Sequence, residues 1–137
     1  MENINIPAQL ENLYETLNWI NAKMEAAGFN ERARDKVMLA SEEIFVNIAN
    51  YAYDGVDGLV TVGFTLSDDS SALVEFQDAG TPFNPLSRPD PDLSASVEQR
   101  GIGGLGIFLA KNLMDSVEYR FEDGRNILCM EKKRGGL

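Results

Sequence analysis

A glutamate and an asparagine, Glu43 and Asn47, stand four positions apart in a largely apolar stretch that reads EEIFVNIANYAY. If this stretch is helical, residues at i and i+4 project from the same face. A carboxylate can accept a proton, and an amide oxygen can bind a hard metal ion. Glu42 would point about 100° away and would not share that face. The spacing therefore predicts a base beside an oxygen ligand, as a metal-dependent nucleotide site requires.

A glycine-rich segment is a candidate phosphate-binding element. Gly101, Gly103 and Gly106 satisfy the pattern G-x-G-x-x-G. A dinucleotide-binding fold is disfavoured, because the pattern follows a proline-rich stretch instead of a strand and comes late in the chain. The glycines do precede a predicted helix, whose unpaired N–H groups would attract phosphate. A flexible hinge after a loop is the alternative.

A third candidate residue lies where a strand is predicted to end. Asp78 is followed by the sequence AGTPF. Its carboxylate could accept a hydrogen bond from the exocyclic amine of a purine. An aspartate close before a glycine is also a common turn former, so this alternative stays open when Asp78 is considered alone.

The composition excludes several other kinds of site. The chain has 137 residues, no histidine and one cysteine, Cys129. A Ser-His-Asp triad, a histidine-bearing zinc site, a phospho-acceptor histidine and an internal disulfide are therefore excluded within it. The net charge of −10 disfavours nucleic acid and anionic membranes, whose phosphates are bound by Lys and Arg. With no signal-peptide pattern and no long apolar run, we expect a cytoplasmic protein.

Hydrophobic periodicity predicts the elements that position these residues. A helix that Asn30 caps should run to about Tyr53 and carry the pair. The other predicted elements are a strand at 3–6, a helix ending at Gly28, strands at 59–66 and 72–77, a long proline-rich loop at 79–100, a helix at about 105–114, and strands at 117–121 and 126–131. Hairpin connections predict one α+β domain over residues 1–137, a two-layer sandwich with helices on one face of a mixed, mostly antiparallel sheet.

Three segments are more specific together than alone: E-x-x-x-N on a helix, D-x-G-x-P-F at a strand end and, after the long loop, G-x-G-G-L-G before a helix. The runs ASEEIFVNIANYAY, FQDAGTPFNP, GGLGIFLAKNLMD and GRNILCMEKK extend this pattern over nearly the whole chain. On these residues the chain resembles the ATP-binding domain shared by gyrase, histidine kinases and mismatch-repair ATPases, which has the Bergerat fold. Within that superfamily it is most similar to the stand-alone anti-sigma factor serine/threonine kinases of bacteria.

The resemblance implies a role for each matched residue. Glu43 would be the general base, and Asn47 would ligate Mg²⁺. Asp78 would read the adenine of ATP, with Gly80 leaving room for the base. Residues 79–103 would form a lid over the nucleotide. Gly104, Leu105 and Gly106 would cradle the phosphates by their backbone N–H groups. The remaining nucleotide-binding residues would be Gly101, Gly103 and Arg100, which could reach a phosphate or a partner.

The function implied by the resemblance is an ATP-dependent protein serine/threonine kinase that acts as an anti-sigma factor. It would phosphorylate a small antagonist protein, with a sigma factor and a second copy of the chain as further candidate partners. The alternatives are a catalytically silent module that binds ATP or ADP and switches partners, and a purely structural interaction domain. The sequence departs from the pattern at Tyr51, where many relatives carry histidine. The threonine that other branches place near the phosphates is also lacking, and Gly124 and Asn126 match the small-kinase pattern instead.

Overall fold

Among the residues that the structure describes, five strands form one sheet in the order β1-β2-β3-β5-β4, and each of its four strand pairs is antiparallel. The computed structural model describes residues 1–53, 56–68, 71–82, 84, 86 and 110–134. Helices pack on one face of the sheet, so the predicted fold class is confirmed. The strands are β1 (Glu2–Pro7), β2 (Leu59–Ser67), β3 (Ser71–Asp78), β4 (Ser116–Glu122) and β5 (Arg125–Lys133).

The hairpin between β4 and β5 follows from its two turn residues. Asp123 and Gly124 both have positive φ, 52° and 76°. A two-residue turn of this kind matches the right-handed twist of the flanking strands, and Asp-Gly is a favoured sequence for it. This turn sets the register in which Glu122 pairs with Arg125.

The described chain between β1 and β2 contains α1 (Leu13–Ala26), entered through a short 3₁₀ turn, and α2 (Glu31–Tyr51). The Asn30 side chain accepts a hydrogen bond from the Ala33 N–H at 2.8 Å, which confirms the predicted cap. Pro7 ends β1, in keeping with the confinement of proline to strand ends and edges. In the described part of the chain, no helix is long and apolar enough to cross a membrane.

The core fills the space between the helices and one face of the sheet. Because side chains alternate along a strand, Val74, Phe76 and Asp78 of β3 all point to this face. Asp78 therefore continues an otherwise apolar row. The other buried apolar residues of this core include Val60, Val62 and Phe64 from β2, Leu128 and Met130 from β5, Ile20 and Met24 from α1, and Val37, Ala40, Ile44 and Ile48 from α2.

The predicted helix at about 105–114 falls largely outside the described residues. Residues 110–113 are helical, and the Ala110 carbonyl accepts a hydrogen bond from the Met114 N–H at 3.1 Å. Ala110 and Met114 belong to the core, so this helical turn packs against the same layer as α1 and α2.

Candidate active site

Glu43 and Asn47 lie on one face of α2, and both are half-buried. The rotation of the helix is fixed by its buried residues, including Ile44 and Ile48, which pack into the core. A helix held in this way directs the glutamate and the asparagine to the same side, one turn apart. The helical geometry expected for the pair is therefore present.

The pKa of the Glu43 carboxyl is raised above its ordinary value. Burial is the main cause, and the negative charge of Glu42 adds to it. A carboxylate whose pKa is raised holds a proton more strongly, so it is a better proton acceptor at neutral pH than an ordinary glutamate. The position suits a general base.

This raised pKa predicts a pH dependence for any reaction in which Glu43 accepts a proton. The rate should fall as the pH drops through the raised pKa, because the protonated carboxyl can no longer act as a base. In Glu42→Gln one of the two causes is removed, so the acid limb should move to lower pH. The measurement is kcat against pH for the two proteins. An acid limb at the same pH in both would show that it does not belong to Glu43.

Asp78 ends β3 and is only 5% exposed. Its Oδ1 accepts a hydrogen bond from the Gly80 N–H at 2.9 Å and a second from Nδ2 of Asn126, also at 2.9 Å. The local turn supplies the first donor, as expected for an aspartate two residues before glycine. The second donor comes from the neighbouring strand β5, so the carboxylate is held both by its own turn and by that strand.

The residues after Asp78 lie against the C-terminal end of α2. The Thr81 N–H donates to the Ala52 carbonyl at 3.1 Å. A Cβ placed on Gly80 would lie 2.1 Å from the same carbonyl oxygen, far closer than van der Waals contact. Glycine is therefore required for this approach of two backbones. The resemblance gave Gly80 the role of leaving room for a base, and the packing against Ala52 is an additional constraint.

Tyr53 makes a second link between α2 and the Asp78 turn. Its hydroxyl donates to the Leu59 carbonyl at 2.6 Å and accepts from the Ala79 N–H at 2.8 Å. Asn47 lies five residues before Ala52 on the same helix, about 7.5 Å along its axis. Two hydrogen-bonded contacts therefore hold the C-terminal end of the helix that carries Glu43 and Asn47 against the turn that follows Asp78.

The other predicted site residues lie outside the described part of the chain. These are Arg100, Gly101, Gly103, Gly104, Leu105 and Gly106, together with most of the predicted lid at 79–103. Their roles stay predictions.

The described groups suit ATP and Mg²⁺ in a specific way. A buried carboxylate at a strand end offers an acceptor to a base that carries an amine. The Asn47 oxygen is a hard ligand of the kind that Mg²⁺ prefers. No cluster of three acidic, cysteine or histidine ligands occurs among the described residues. Magnesium would therefore complete its shell with phosphate oxygens and water, which is its usual behaviour at nucleotide sites.

The fold and the residues at this site indicate the class of protein to which the chain belongs. The chain belongs to the histidine kinase-like ATPase domain family, whose family model matches residues 6–132.

Curated relatives of the chain are named serine-protein kinase RsbW. The one from Listeria monocytogenes serovar 1/2a is 32% identical over 107 residues, which cover 74% of this chain and 68% of the relative. The one from Bacillus pumilus is 30% identical over 117 residues, covering 80% of this chain and 69% of the relative. The chain is therefore similar to serine-protein kinases over most of its length.

Solved structures confirm the fold. The RsbU and RsbW domains of a Mycobacterium tuberculosis protein align with a TM-score of 0.65 at 14% identity, covering 96% of this chain and 32% of that chain. The histidine kinase domain of a blue-light activated histidine kinase from Erythrobacter litoralis aligns with a TM-score of 0.56 at 13% identity, covering 88% and 60%. This chain thus spans about a third of the first neighbour.

Proposed function

We propose that this protein is an ATP-dependent protein serine/threonine kinase that acts as an anti-sigma factor. The observation that carries the proposal is the link between the end of α2 and the Asp78 turn. The Ala52 and Tyr53 contacts hold the helix that carries Glu43 and Asn47 against the turn that follows Asp78, which supports one shared site for the three residues. The relatives named serine-protein kinase support phosphoryl transfer to serine as the reaction.

In this proposal each residue has one task. Asp78 accepts a hydrogen bond from the adenine amine, and Asn47 holds Mg²⁺, which when bound neutralises charge on the phosphates. Glu43 accepts the proton of the attacking serine hydroxyl. The serine oxygen forms a bond to the γ-phosphorus while the bond between that phosphorus and the bridging oxygen breaks, and ADP leaves. Such a transfer depends mainly on positioning and charge stabilisation, so a small set of residues is sufficient.

The proposed substrate is a small antagonist protein that carries an acceptor serine. A sigma factor and a second copy of the chain are proposed as further partners, with the cytoplasm as the compartment. The net charge of −10 favours partners with basic surfaces, because complementary charge speeds association.

The proposal is tested by capturing the proteins that bind this chain and then measuring phosphate transfer to them. The protein would be immobilised with Mg-ADP and separately with Mg-ATP, and captured proteins would be identified. Each would then be incubated with the free protein and ATP labelled at the γ-phosphate. We expect label on one serine of a captured protein. Binding of ATP with no transfer to any of them would favour the silent partner-switching module, and absence of ATP binding would contradict both.

A further inference from the structure

Asp78 is the end of a chain of polar side chains that crosses three strands. Asn126 of β5 lies directly opposite Asp78 in the strand register, and its Nδ2 donates to Asp78 Oδ1 at 2.9 Å. Tyr119 of β4 lies diagonally across from Asn126, within reach for a long side chain. Its hydroxyl donates to the Asn126 Oδ1 at 2.5 Å. Asn126 is 8% exposed and Tyr119 is half-buried, so this contact is partly shielded from water.

The partners of Asn126 fix the orientation of its amide. Besides Asp78, its Nδ2 faces the Thr81 carbonyl at 3.0 Å and the Gly80 carbonyl at 3.4 Å. All three are acceptors, so the nitrogen must be on that side. The opposite side faces the Tyr119 hydroxyl, which can donate to the amide oxygen. Reversing the amide would place its oxygen against a carboxylate and two carbonyls, so the network permits one orientation only.

This arrangement orients the Asp78 carboxylate. The two donors that the described residues supply to it, the Gly80 N–H and Asn126 Nδ2, both meet Oδ1. Two hydrogen bonds to one oxygen restrict rotation of the carboxylate about its last bond. Its other oxygen, Oδ2, is then held in a defined direction and can act as an acceptor for a ligand.

We propose that Asn126, held by Tyr119, is a positioning residue that makes Asp78 selective for a nucleobase carrying an exocyclic amine. The inference rests on the proposed ATP-binding function. An oriented carboxylate gains a hydrogen bond from the amine at position 6 of adenine. It gains none from a purine that lacks the amine, and it is repelled by the carbonyl that guanine carries there. Asn126 and Tyr119 thus determine base preference through the orientation of Asp78.

The test compares ATP with purine riboside 5′-triphosphate, which is ATP without the amine. In the wild-type protein we expect the Kd of the second to be about 10-fold higher, as for one hydrogen bond to a charged group. Tyr119→Phe should reduce this ratio to about 3, and Asn126→Leu should bring it close to 1. Tyr14→Phe is the matched control, because Tyr14 is 77% exposed on α1, and its ratio should equal that of the wild type.

The ratio of the two Kd values distinguishes a loss of Asp78 orientation from a general loss of stability. A variant that is merely less stable would weaken binding of both nucleotides equally and keep the wild-type ratio, and that result would overturn the inference. Tyr119→Phe removes one hydroxyl, so the test holds even if Asn126→Leu does not fold. Failure of the wild-type protein to bind ATP would overturn the proposed function itself. Binding of ATP with a ratio of 1 in the wild type would overturn only the selectivity.

Discussion

Replacing Glu43 with alanine is expected to slow phosphoryl transfer by about 100- to 10,000-fold, the usual contribution of a general base. The nucleotide should still bind, because the proposed contacts to base and metal come from Asp78 and Asn47. Rates would be measured with saturating Mg-ATP and a captured serine-bearing substrate, and ATP affinity by calorimetry. A loss of rate with unchanged ATP affinity would assign Glu43 to the chemical step.

Glu42→Ala is the matched control for this substitution. Glu42 is adjacent on α2 and also half-buried, but it lies about 100° away around the helix. Measured at a pH above the acid limb, its rate should be within a few-fold of the wild-type rate. If Glu43→Ala retained transfer at the wild-type rate, the base would be another group. If the wild-type protein and both variants bound ATP but none of them transferred phosphate, the catalytically silent module would be favoured.

The second large effect is expected for Asp78→Asn, which should weaken ATP binding by about 100-fold. The substitution removes the charged acceptor for the adenine amine. It also replaces the partner of the Gly80 N–H and of the Asn126 amide by a weaker, neutral one. Calorimetric titration with Mg-ATP measures the effect, and circular dichroism would establish that the fold is retained.

Glu75→Gln is the matched control for Asp78→Asn. Glu75 is on the same strand and only 8% exposed, but it points to the opposite face of the sheet. It therefore tests the loss of a buried acid from β3 at a place remote from the proposed nucleotide. We expect wild-type ATP affinity in Glu75→Gln. Equal affinities of Asp78→Asn and the wild-type protein would contradict the assignment of base recognition to Asp78.

The parts of the structure that could be predicted from the sequence are those set by short-range rules. Asn30 caps α2 because its side chain needs only the N–H three residues ahead, and Asp123-Gly124 forms a hairpin because both residues accept positive φ. The position of Glu43 and Asn47 on one face of α2 likewise follows from helical periodicity. Each of these features depends on residues within about one turn of one another.

The contacts that hold the site residues in place join segments that are distant in sequence, so they could not be predicted. Asn126 meets Asp78 only because β5 inserts between β3 and β4, an order that periodicity within each strand does not define. The approach of Gly80 to Ala52 depends on where α2 ends above the sheet. The helix was predicted to run to about Tyr53, but α2 ends at Tyr51. The two hydrogen bonds of the Tyr53 hydroxyl join segments that come together only in the fold.

The most direct measurement is a crystal structure of the protein with a non-hydrolysable ATP analogue and Mg²⁺. We predict that the adenine amine lies within hydrogen-bond distance of Asp78 Oδ2 and that the Asn47 side-chain oxygen ligates the metal at about 2.1 Å. The Glu43 carboxylate should face the γ-phosphate from the same side of α2. A nucleotide bound away from Asp78, or a metal coordinated without Asn47, would contradict the proposed site.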